Sequence, residues 1–448
     1  MSGKRLAVVG GGIAGLAAAY EATRAGASVV VYENAPRLGG TISTIRRDGF
    51  LIEEGPDSFL TEKPAARELI EELGLGAELI ATRPEARRSY VARRGRLHAT
   101  PEGFYLLAPT RVGPFLKSSL WSVPGKARAL AEPLVPRRRA DDDESVGSFV
   151  TRRFGREMLD RVAQPMIGGI YGADPFELSL ASTFPRFLDL ERRHGSVIRG
   201  LKAQDATPAA SGPRYSLFAT LRSGLGTLVD ALATRVGEVR LDTRVTAVEP
   251  GWQVRTAQGA ERFDAVVLAV PAPAAAHLVG AFDAALARDL DAIRYGSSVT
   301  VSMGFRESAI GREFQGAGFV VPAIEAMDVV GGTFAHLKFE GRAPTGHALV
   351  RTFFGDAALG WDDAECIRRA LTALAGLLDL HETPQLTVVS RHTRAMPRYR
   401  VGHHELVVRI EGRAAAMPGL SLAGAGYHGV GLPDCVANGR QAARAALA

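Results

Sequence analysis

Unbroken apolar runs lie near both ends of the chain, and glycines follow each of them. The run over residues 6–9 predicts a strand, the alanine-rich stretch from about 14 to 25 predicts a helix, and the run over 28–32 predicts a second strand. Strands that are apolar at every position are typical of parallel sheets with helices on both faces. The chain therefore opens with a predicted β–turn–α–β unit. A strand over 420–426 enters another glycine-rich turn, so we expect both ends of the chain to share one domain.

The periodicity changes between these ends. Residues from about 98 to 210 show several helical patterns and few β-branched runs, which predicts an inserted helical lobe. Residues from about 280 to 410 are rich in strand patterns and predict an antiparallel sheet. The remaining predicted elements are helices over 64–80, 224–236 and 438–448, and strands over 90–97, 239–241, 244–248, 263–271, 299–305, 318–321, 348–354 and 386–391.

A spaced glycine pattern fills the turn after the first strand. Gly10 permits the tight turn, Gly12 lets a pyrophosphate approach the backbone, and Gly15 lets the helix pack closely on the strand. The first N–H groups of the helix and its positive dipole end then face the phosphates. Glu33 ends the second strand, where its carboxylate can accept both ribose hydroxyls. We therefore predict a dinucleotide site.

Two further glycine-rich segments favour FAD over a nicotinamide dinucleotide. Arg37, Gly39 and Gly40 follow the second strand, where a guanidinium and two small residues can hold a second phosphate or a ribityl chain. Near the C-terminus, residues 423–432 predict another strand-to-helix turn, whose N–H groups can face the isoalloxazine ring or its pyrophosphate. We expect residues 55–58 to lie under the flavin ring, with backbone N–H groups at its edge. The predicted cofactor is non-covalent FAD.

Composition narrows the class of protein. A chain of 448 residues is long enough for two or more lobes, and its 46% hydrophobic and 23% charged content is typical of globular proteins. The net charge of +6 favours anionic ligands or an anionic membrane surface but is too diffuse to predict nucleic-acid binding. Two cysteines indicate a reducing compartment and no metal cluster. Because no run of 18 apolar residues occurs and glycines interrupt the N-terminal one, we predict a cytoplasmic protein without a bilayer span.

Longer motifs extend this interpretation along nearly the whole chain. They lie at residues 55–60, 168–174, 178–185, 191–196, 318–322, 396–403 and 429–435. Together they resemble the FAD-dependent porphyrinogen oxidases of haem biosynthesis, the family of protoporphyrinogen oxidase and oxygen-dependent coproporphyrinogen III oxidase. The middle and late motifs are specific, because amine oxidases and carotenoid desaturases lack them. The resemblance implies six-electron oxidation of a porphyrinogen to a porphyrin, with molecular oxygen as acceptor and release of hydrogen peroxide.

The resulting fold class is α/β. It combines a Rossmann-type FAD-binding domain of the amine-oxidase superfamily with a mixed-sheet substrate domain and the inserted helical lobe. The predicted domains are 1–85, the first part of the FAD domain; 86–215, the substrate and helical membrane-associating lobe; 216–275, the second part of the FAD domain; 276–410, the substrate-binding antiparallel sheet; and 411–448, the last part of the FAD domain.

The resemblance and the glycine turns together define the candidate site residues. The cofactor residues are Gly10, Gly12, Ile13, Ala14, Gly15, Glu33, Asn34, Arg37, Gly39, Gly40, Gly55, Pro56, Asp57, Ser58, Val245, His392, Val430, Gly431 and Leu432. The substrate residues are Arg88, Tyr171, Ala317, Val320 and Phe353. No catalytic residue is assigned, because FAD itself accepts the hydride.

Two positions depart from the family pattern. Ser89 aligns with the arginine that faces the substrate propionates in many members, and Arg88 lies one step out of phase. Since neighbours on a strand face opposite sides, Arg88 is not its equivalent. His392 stands where the family usually has a tryptophan near the flavin. The resemblance also implies that Ala317, Val320 and Phe353 form the apolar walls of the substrate chamber, and two of these positions are smaller than the aromatic and leucine residues common in the family. The missing arginine and these smaller chamber walls favour coproporphyrinogen, with four propionates, slightly over protoporphyrinogen.

Other interpretations remain open at this stage. A different enzyme class, an amine oxidase or carotenoid desaturase, would need an aromatic cage or a long apolar tunnel, and a flavin or haem carrier without turnover is a third class. Peripheral membrane contact by residues 104–121 and a homodimer are hypotheses. Plainer roles are expected for other features: packing for His403 and His404, a small core residue for Cys435, and a solvated loop for the charged residues 137–144.

Overall fold

The structure is a computed structural model that describes residues 3–105, 107–205, 217–313 and 315–448. Its strands are β1 Arg5–Val9, β2 Ser28–Tyr32, β3 Thr44–Arg47, β4 Phe50–Glu53, β5 Phe59–Leu60, β6 Leu79–Ala81, β7 Ser89–Arg93, β8 Arg96–Ala99, β9 Phe104–Tyr105, β10 Ala108–Pro109, β11 Phe218–Leu221, β12 Glu238–Arg240, β13 Ala247–Glu249, β14 Gln253–Thr256, β15 Gly259–Arg262, β16 Ala265–Leu268, β17 Arg294–Arg306, β18 Gly318–Val320, β19 Gly331–Phe334, β20 His347–Phe354, β21 Leu386–Arg398 and β22 Leu420–Leu422. Its α-helices are α1 Ile13–Arg24, α2 Ala65–Glu72, α3 Val112–Lys117, α4 Val123–Leu130, α5 Val146–Phe154, α6 Arg156–Met158, α7 Gln164–Tyr171, α8 Leu180–Thr183, α9 Pro185–His194, α10 Val197–Asp205, α11 Gly226–Ala233, α12 Ala272–Val279, α13 Ala284–Asp291, α14 Ala335–Lys338, α15 Asp363–Leu378, α16 His403–Ala415 and α17 Leu432–Leu447.

The two ends of the chain form one parallel sheet. Its strand order is β12-β2-β1-β16-β22, so β1 lies at the centre and β22 at an edge. Both β1 and β16 are apolar and buried because α1 and α17 cover one face of the sheet and α12 covers the other. The prediction that both termini build one nucleotide-binding sheet is confirmed.

A second, seven-stranded sheet has the order β21-β17-β20-β19-β18-β7-β8. It is mixed, because β18 pairs parallel with β7 while the other pairs are antiparallel. The pairs between strands within 276–410 are all antiparallel, as predicted, and the hairpin β7–β8 of the preceding segment joins through a parallel pair, which makes this the mixed sheet of the predicted fold class. One face of the sheet packs on α15, where Val299, Val301 and Val350 are buried.

The helices α3 to α10 form the predicted inserted lobe around their own apolar core. That core also takes in Val91 of β7 and contacts Val320 of β18, so the lobe lies on the face of the mixed sheet away from α15. The end of the predicted lobe and the boundary at 215 and 216 lie outside the described residues. No described helix is long and apolar enough to cross a bilayer.

Several predicted elements have other bounds in the structure; the strand predicted over 386–391, for example, extends to Arg398. The helix predicted over 64–80 ends at Glu72, since Gly74 takes a positive φ of 78° and the chain continues into β6. The strand predicted over 244–248 begins only at Ala247. The last helix begins at Leu432, before the predicted start, because Pro433 occupies its first turn, where the missing N–H costs nothing.

Candidate functional site

The turn after β1 has the geometry of a phosphate cradle. Gly10 has a φ of +109°, and a Cβ on Gly15 would lie 1.9 Å from the carbonyl oxygen of Gly10, so both positions require glycine. A Cβ on Gly12 would meet nothing within 4 Å, which leaves the space beside that backbone open. Within the described residues no side chain caps α1, so its first N–H groups, from Ile13 and Ala14 onward, are available to an anion.

Glu33 lies at the end of β2 beside that cradle. Its Oε2 accepts from the Gly11 N–H at 2.7 Å and its Oε1 from the Ala35 N–H at 2.8 Å. A carboxylate has further lone pairs, so these bonds fix its orientation and leave it able to accept ribose hydroxyls. The Glu33 carbonyl accepts from the Thr243 N–H at 2.8 Å, which brings the segment carrying buried Val245 to the same strand end. Exposed Asn34 follows directly.

Arg37 shapes the loop that follows β2. Its guanidinium donates to the carbonyls of Leu38, Gly40 and Ile42 at 3.0, 2.8 and 2.9 Å. Gly39 pairs with Gly12 across a parallel bridge, so the loop lies directly beside the first glycine turn. Arg37 thus holds the loop together through these hydrogen bonds. Its side chain is exposed, and its contact with a phosphate stays a prediction.

The C-terminal glycine turn opens at the same edge of the sheet. Because β1 and β22 both run parallel to β16, the helices α1 and α17 begin at one common edge, where nucleotides bind in open α/β sheets. A Cβ on Gly439 of α17 would lie 2.1 Å from the Ala14 carbonyl oxygen, which shows how closely the two helices pack. No side chain in the described residues caps α17 after Gly431. The turn of Val430, Gly431 and Leu432 therefore lies at the same edge as the first cradle, with the Asp434 carboxylate beside Gly431, and contact of this turn with FAD stays a prediction.

Tyr399 holds this second turn in place, a role that sequence reasoning missed. Its buried hydroxyl donates to the Ala425 carbonyl at 2.5 Å and accepts from the Gly429 N–H at 2.8 Å. Its ring stacks on His403 with centroids 4.0 Å apart, and the Tyr171 ring lies 6.3 Å away. The packing role predicted for His403 is therefore confirmed. Burial raises the pKa of Tyr171, so this phenol stays neutral.

The segment 54–58 lies against the mixed sheet. A Cβ on Gly55 would stand 1.8 Å from the Thr41 carbonyl oxygen, so only glycine fits there. His392 donates from Nε2 to the Glu54 carbonyl at 2.8 Å, and burial lowers its pKa, which keeps the imidazole neutral. Two cations absent from the predicted set, Lys338 and Arg351, also bind this segment.

Asp57 forms the ionic centre of that contact. The Lys338 ammonium lies 2.9 and 3.0 Å from its two carboxylate oxygens, and the Ser58 hydroxyl donates to Oδ1 at 2.6 Å. Burial alone would raise the pKa of Asp57, but Lys338 and Ser58 outweigh burial and lower it to about 2. The carboxylate is therefore charged at neutral pH. No spacing signal could reveal this pair, because 281 positions separate its members in sequence.

The predicted substrate residues divide between the two faces of the mixed sheet. Val320, Gly331 and Phe353 are opposite one another in register, so Val320 and Phe353 share the face that the helical lobe covers. The Ala317 carbonyl accepts from the Phe334 N–H, and this pairing places Ala317 with Phe334 on the α15 face. The structure therefore does not bring Ala317 together with the other wall residues.

Arg88 lies at the surface, directly before β7. The Arg88 side chain is 61% exposed, and its guanidinium lies 3.9 Å from the Glu102 carboxylate. Ser89 instead lies within 3.2 Å of the Thr100 hydroxyl. Direct substrate contact by Arg88 stays a prediction that this exposed position weakens.

These features suit FAD. Two uncapped helix N-termini, the open space beside Gly12 and the carboxylate of Glu33 are concentrated at one sheet edge, and the segment 54–58 connects that edge to the mixed sheet. Bound FAD supplies a two-electron acceptor that the side chains lack. The described residues contain no group of three or more His, Cys, Asp or Glu able to hold a metal ion.

Comparisons with known proteins agree with this site. A family model for flavin containing amine oxidoreductases matches residues 13–447. The coproporphyrinogen III oxidase of Propionibacterium freudenreichii subsp. freudenreichii is 38% identical over 98% of this chain and 90% of its own length, and that of Bacillus subtilis (strain 168) is 33% identical over 99% and 98%. A crystal structure from Exiguobacterium sp. 255-15, named "Putative protoporphyrinogen oxidase", superposes with a TM-score of 0.88 at 32% identity, covering 99% of this chain and 98% of that chain. The chain therefore belongs to the flavin-containing amine oxidoreductases and, within them, to the FAD-dependent porphyrinogen oxidases.

Proposed function

We propose that this protein oxidises coproporphyrinogen III to coproporphyrin III, with FAD as the hydride acceptor and molecular oxygen as the final oxidant. The reaction removes six electrons and six protons, and three oxygen molecules become three hydrogen peroxide molecules. The observation that carries the proposal is the joining of an apolar sheet face, with Val320 and Phe353, to the segment 54–58 of the FAD domain through Arg351. The names of the two relatives with 38% and 33% identity support the substrate.

The chain's own residues position the substrate and exclude water. Val320 and Phe353 offer apolar contacts to a tetrapyrrole, and Tyr171, at the end of α7 in the helical lobe, is buried and neutral. A side chain that removes protons is not assigned, because loss of hydride makes the pyrrole N–H groups acidic, and the six protons that leave with the six electrons end in the three hydrogen peroxide molecules. Catalysis therefore depends on holding the reduced macrocycle in a dry pocket against the cofactor.

Anaerobic mixing tests this function directly. FAD-loaded protein is mixed with coproporphyrinogen III, protoporphyrinogen IX or benzylamine, and the loss of yellow flavin absorption is followed. We expect coproporphyrinogen III to reduce FAD at least about tenfold faster than protoporphyrinogen IX, a difference of about 1.4 kcal/mol in activation free energy. Faster reduction by protoporphyrinogen IX would reverse the substrate assignment. Reduction by benzylamine alone would indicate an amine oxidase, and no reduction by any of the three would indicate a carrier.

We further propose that a patch on α3 and α4 contacts an anionic membrane surface on the cytoplasmic side. Val112, Leu116 and Val123 are 40%, 49% and 79% exposed, and the cation Lys117 lies among them. Most other apolar residues of the predicted segment 104–121 are buried in the lobe core, so the patch is small. The protein should sediment with phosphatidylglycerol vesicles at low salt, and the Val123→Asp variant should stay in the supernatant. Protein that stays entirely in the supernatant would refute this contact. Sedimentation velocity would test the homodimer hypothesis.

A further inference from the structure

A compact ionic group connects the mixed sheet to the segment 54–58. Lys338, at the end of α14, is 9% exposed. Its ammonium lies 2.9 and 3.0 Å from the two Asp57 oxygens and 2.9 Å from the Ser58 hydroxyl oxygen. An ammonium has three N–H donors, so this one segment takes all of them.

Arg351 binds the same segment from the neighbouring strand β20. It is 7% exposed, and its two terminal nitrogens donate to the Gly55 and Glu54 carbonyls at 2.6 Å each. Its Nε is buried and has no hydrogen-bond partner. Two buried cations, one at the end of α14 and one on β20, thus bind four residues of the segment 54–58.

We propose that Lys338 and Arg351 are positioning residues that set the orientation of the segment 54–58 toward FAD. A trans peptide points its C=O and N–H in opposite directions. When Arg351 binds the Glu54 carbonyl, the Gly55 N–H must therefore face away from the sheet. Lys338 fixes Asp57 and Ser58 in the same way. The sheet that bears the substrate face thereby determines where the backbone donors of this segment point.

Stability alone does not account for the arrangement. Replacing a buried ion pair by apolar residues of similar volume often leaves the stability of a protein unchanged or raises it, whereas removing one partner leaves the other charge buried and unpaired. A sheet that needed only to pack on this segment could use apolar residues at both positions. The cations instead specify one geometry, as the three short contacts from Lys338 and the two from Arg351 indicate.

A double-mutant cycle with FAD binding as the readout tests the proposal. Lys338→Met, Asp57→Asn and the double variant are stripped of FAD, and the FAD dissociation constant and the midpoint potential of the rebound cofactor are measured. We expect each single variant to weaken FAD binding at least about tenfold and to shift the potential. The double variant should bind FAD no more weakly than the single variant with the lower FAD affinity, because the two residues act as a pair. Lys338→Arg should recover most of the affinity.

Arg342→Met is the matched control. Arg342 is 2% exposed and donates to the carbonyls of Arg222 and Leu221, not to the segment 54–58. We expect it to lower the melting temperature of the apoprotein and to leave the FAD dissociation constant within about threefold, since it strands no group of the segment.

Several outcomes would overturn the proposal. If Lys338→Met lowers the apoprotein melting temperature while FAD affinity and potential stay unchanged, the pair is only structural. Additive losses in the cycle would show that the two residues act separately. If Lys338→Met does not fold, Ser58→Ala removes one acceptor of Lys338 and should still weaken FAD binding, so unchanged binding there refutes the idea. The inference relies on FAD binding and not on the substrate, so a failure of the proposed porphyrinogen oxidation would leave these readouts interpretable.

Discussion

Tyr399→Phe removes a single hydroxyl from the centre of the C-terminal glycine turn. The Tyr399 side chain is 1% exposed, and its hydroxyl donates to the Ala425 carbonyl at 2.5 Å and accepts from the Gly429 N–H at 2.8 Å. Phenylalanine preserves the ring and its stacking on His403. The variant therefore tests the two hydrogen bonds and little else.

The expected magnitude follows from the two groups left behind. A buried polar group without a partner costs about 1–3 kcal/mol, so leaving both groups unpaired should lower the free energy of unfolding by about 2–6 kcal/mol. Since Ala425 and Gly429 belong to the turn that we predict to face FAD, part of this loss should appear in cofactor binding. A tenfold weaker FAD affinity would correspond to about 1.4 kcal/mol.

Tyr427→Phe provides a closely matched control. Tyr427 lies in the same turn and is 4% exposed, and its hydroxyl has no hydrogen-bond partner among the described residues. Removing an unpaired buried hydroxyl should be neutral or stabilising. Urea unfolding and FAD titration of both apoprotein variants measure the difference. Equal losses in the two variants would refute the reasoning that the Tyr399 bonds hold the turn.

Three further predictions concern the cofactor site, the pH response and the substrate face. Glu33→Ala should weaken FAD binding, because a charge-assisted bond to ribose contributes about 1.5–3 kcal/mol, and wild-type affinity in a titration would contradict the assignment. Burial lowers the pKa of His403 from 6.5 to about 4, so the unfolded chain takes up the proton first as pH falls. His403 should therefore contribute up to about 3 kcal/mol to the drop in the free energy of unfolding between those pH values, and urea titrations of His403→Phe should show a drop smaller by that amount, since His392 still contributes. Val320→Phe should reduce the porphyrinogen oxidation rate at unchanged FAD content. Ala317→Phe, on the α15 face, should instead lower the melting temperature. Equal effects of the two variants on the oxidation rate would show that both residues line the pocket.

Local sequence signals were sufficient for the glycine turn and its partner carboxylate. Gly10, Gly15 and Glu33 lie within one β–α–β unit, and the steric and hydrogen-bonding demands on each involve neighbours in that unit. The order of elements was also predictable, since apolar runs and helical spacing are local. The ends of the elements were less predictable, since α17 begins at Leu432, six residues before its predicted start at 438.

The contacts between distant segments could not be predicted in this way. Nothing near Lys338 or Arg351 distinguishes them from surface cations, and only the folded sheet brings them to Asp57 and Gly55. The position of Ala317 could not be predicted either, because its pairing with β19 decides which face of the sheet it occupies.

The sequence by itself therefore determined a nucleotide-binding unit at each end of the chain, a helical lobe and a strand-rich domain between them, and the family. The tertiary structure alone decided which side chains meet: the charged pair under the segment 54–58, the tyrosine that holds the C-terminal turn, and the residues of the substrate face. The reason is physical. Steric and hydrogen-bonding rules within a turn act over a few residues, whereas ion pairs and packing depend on how separate elements come together in space.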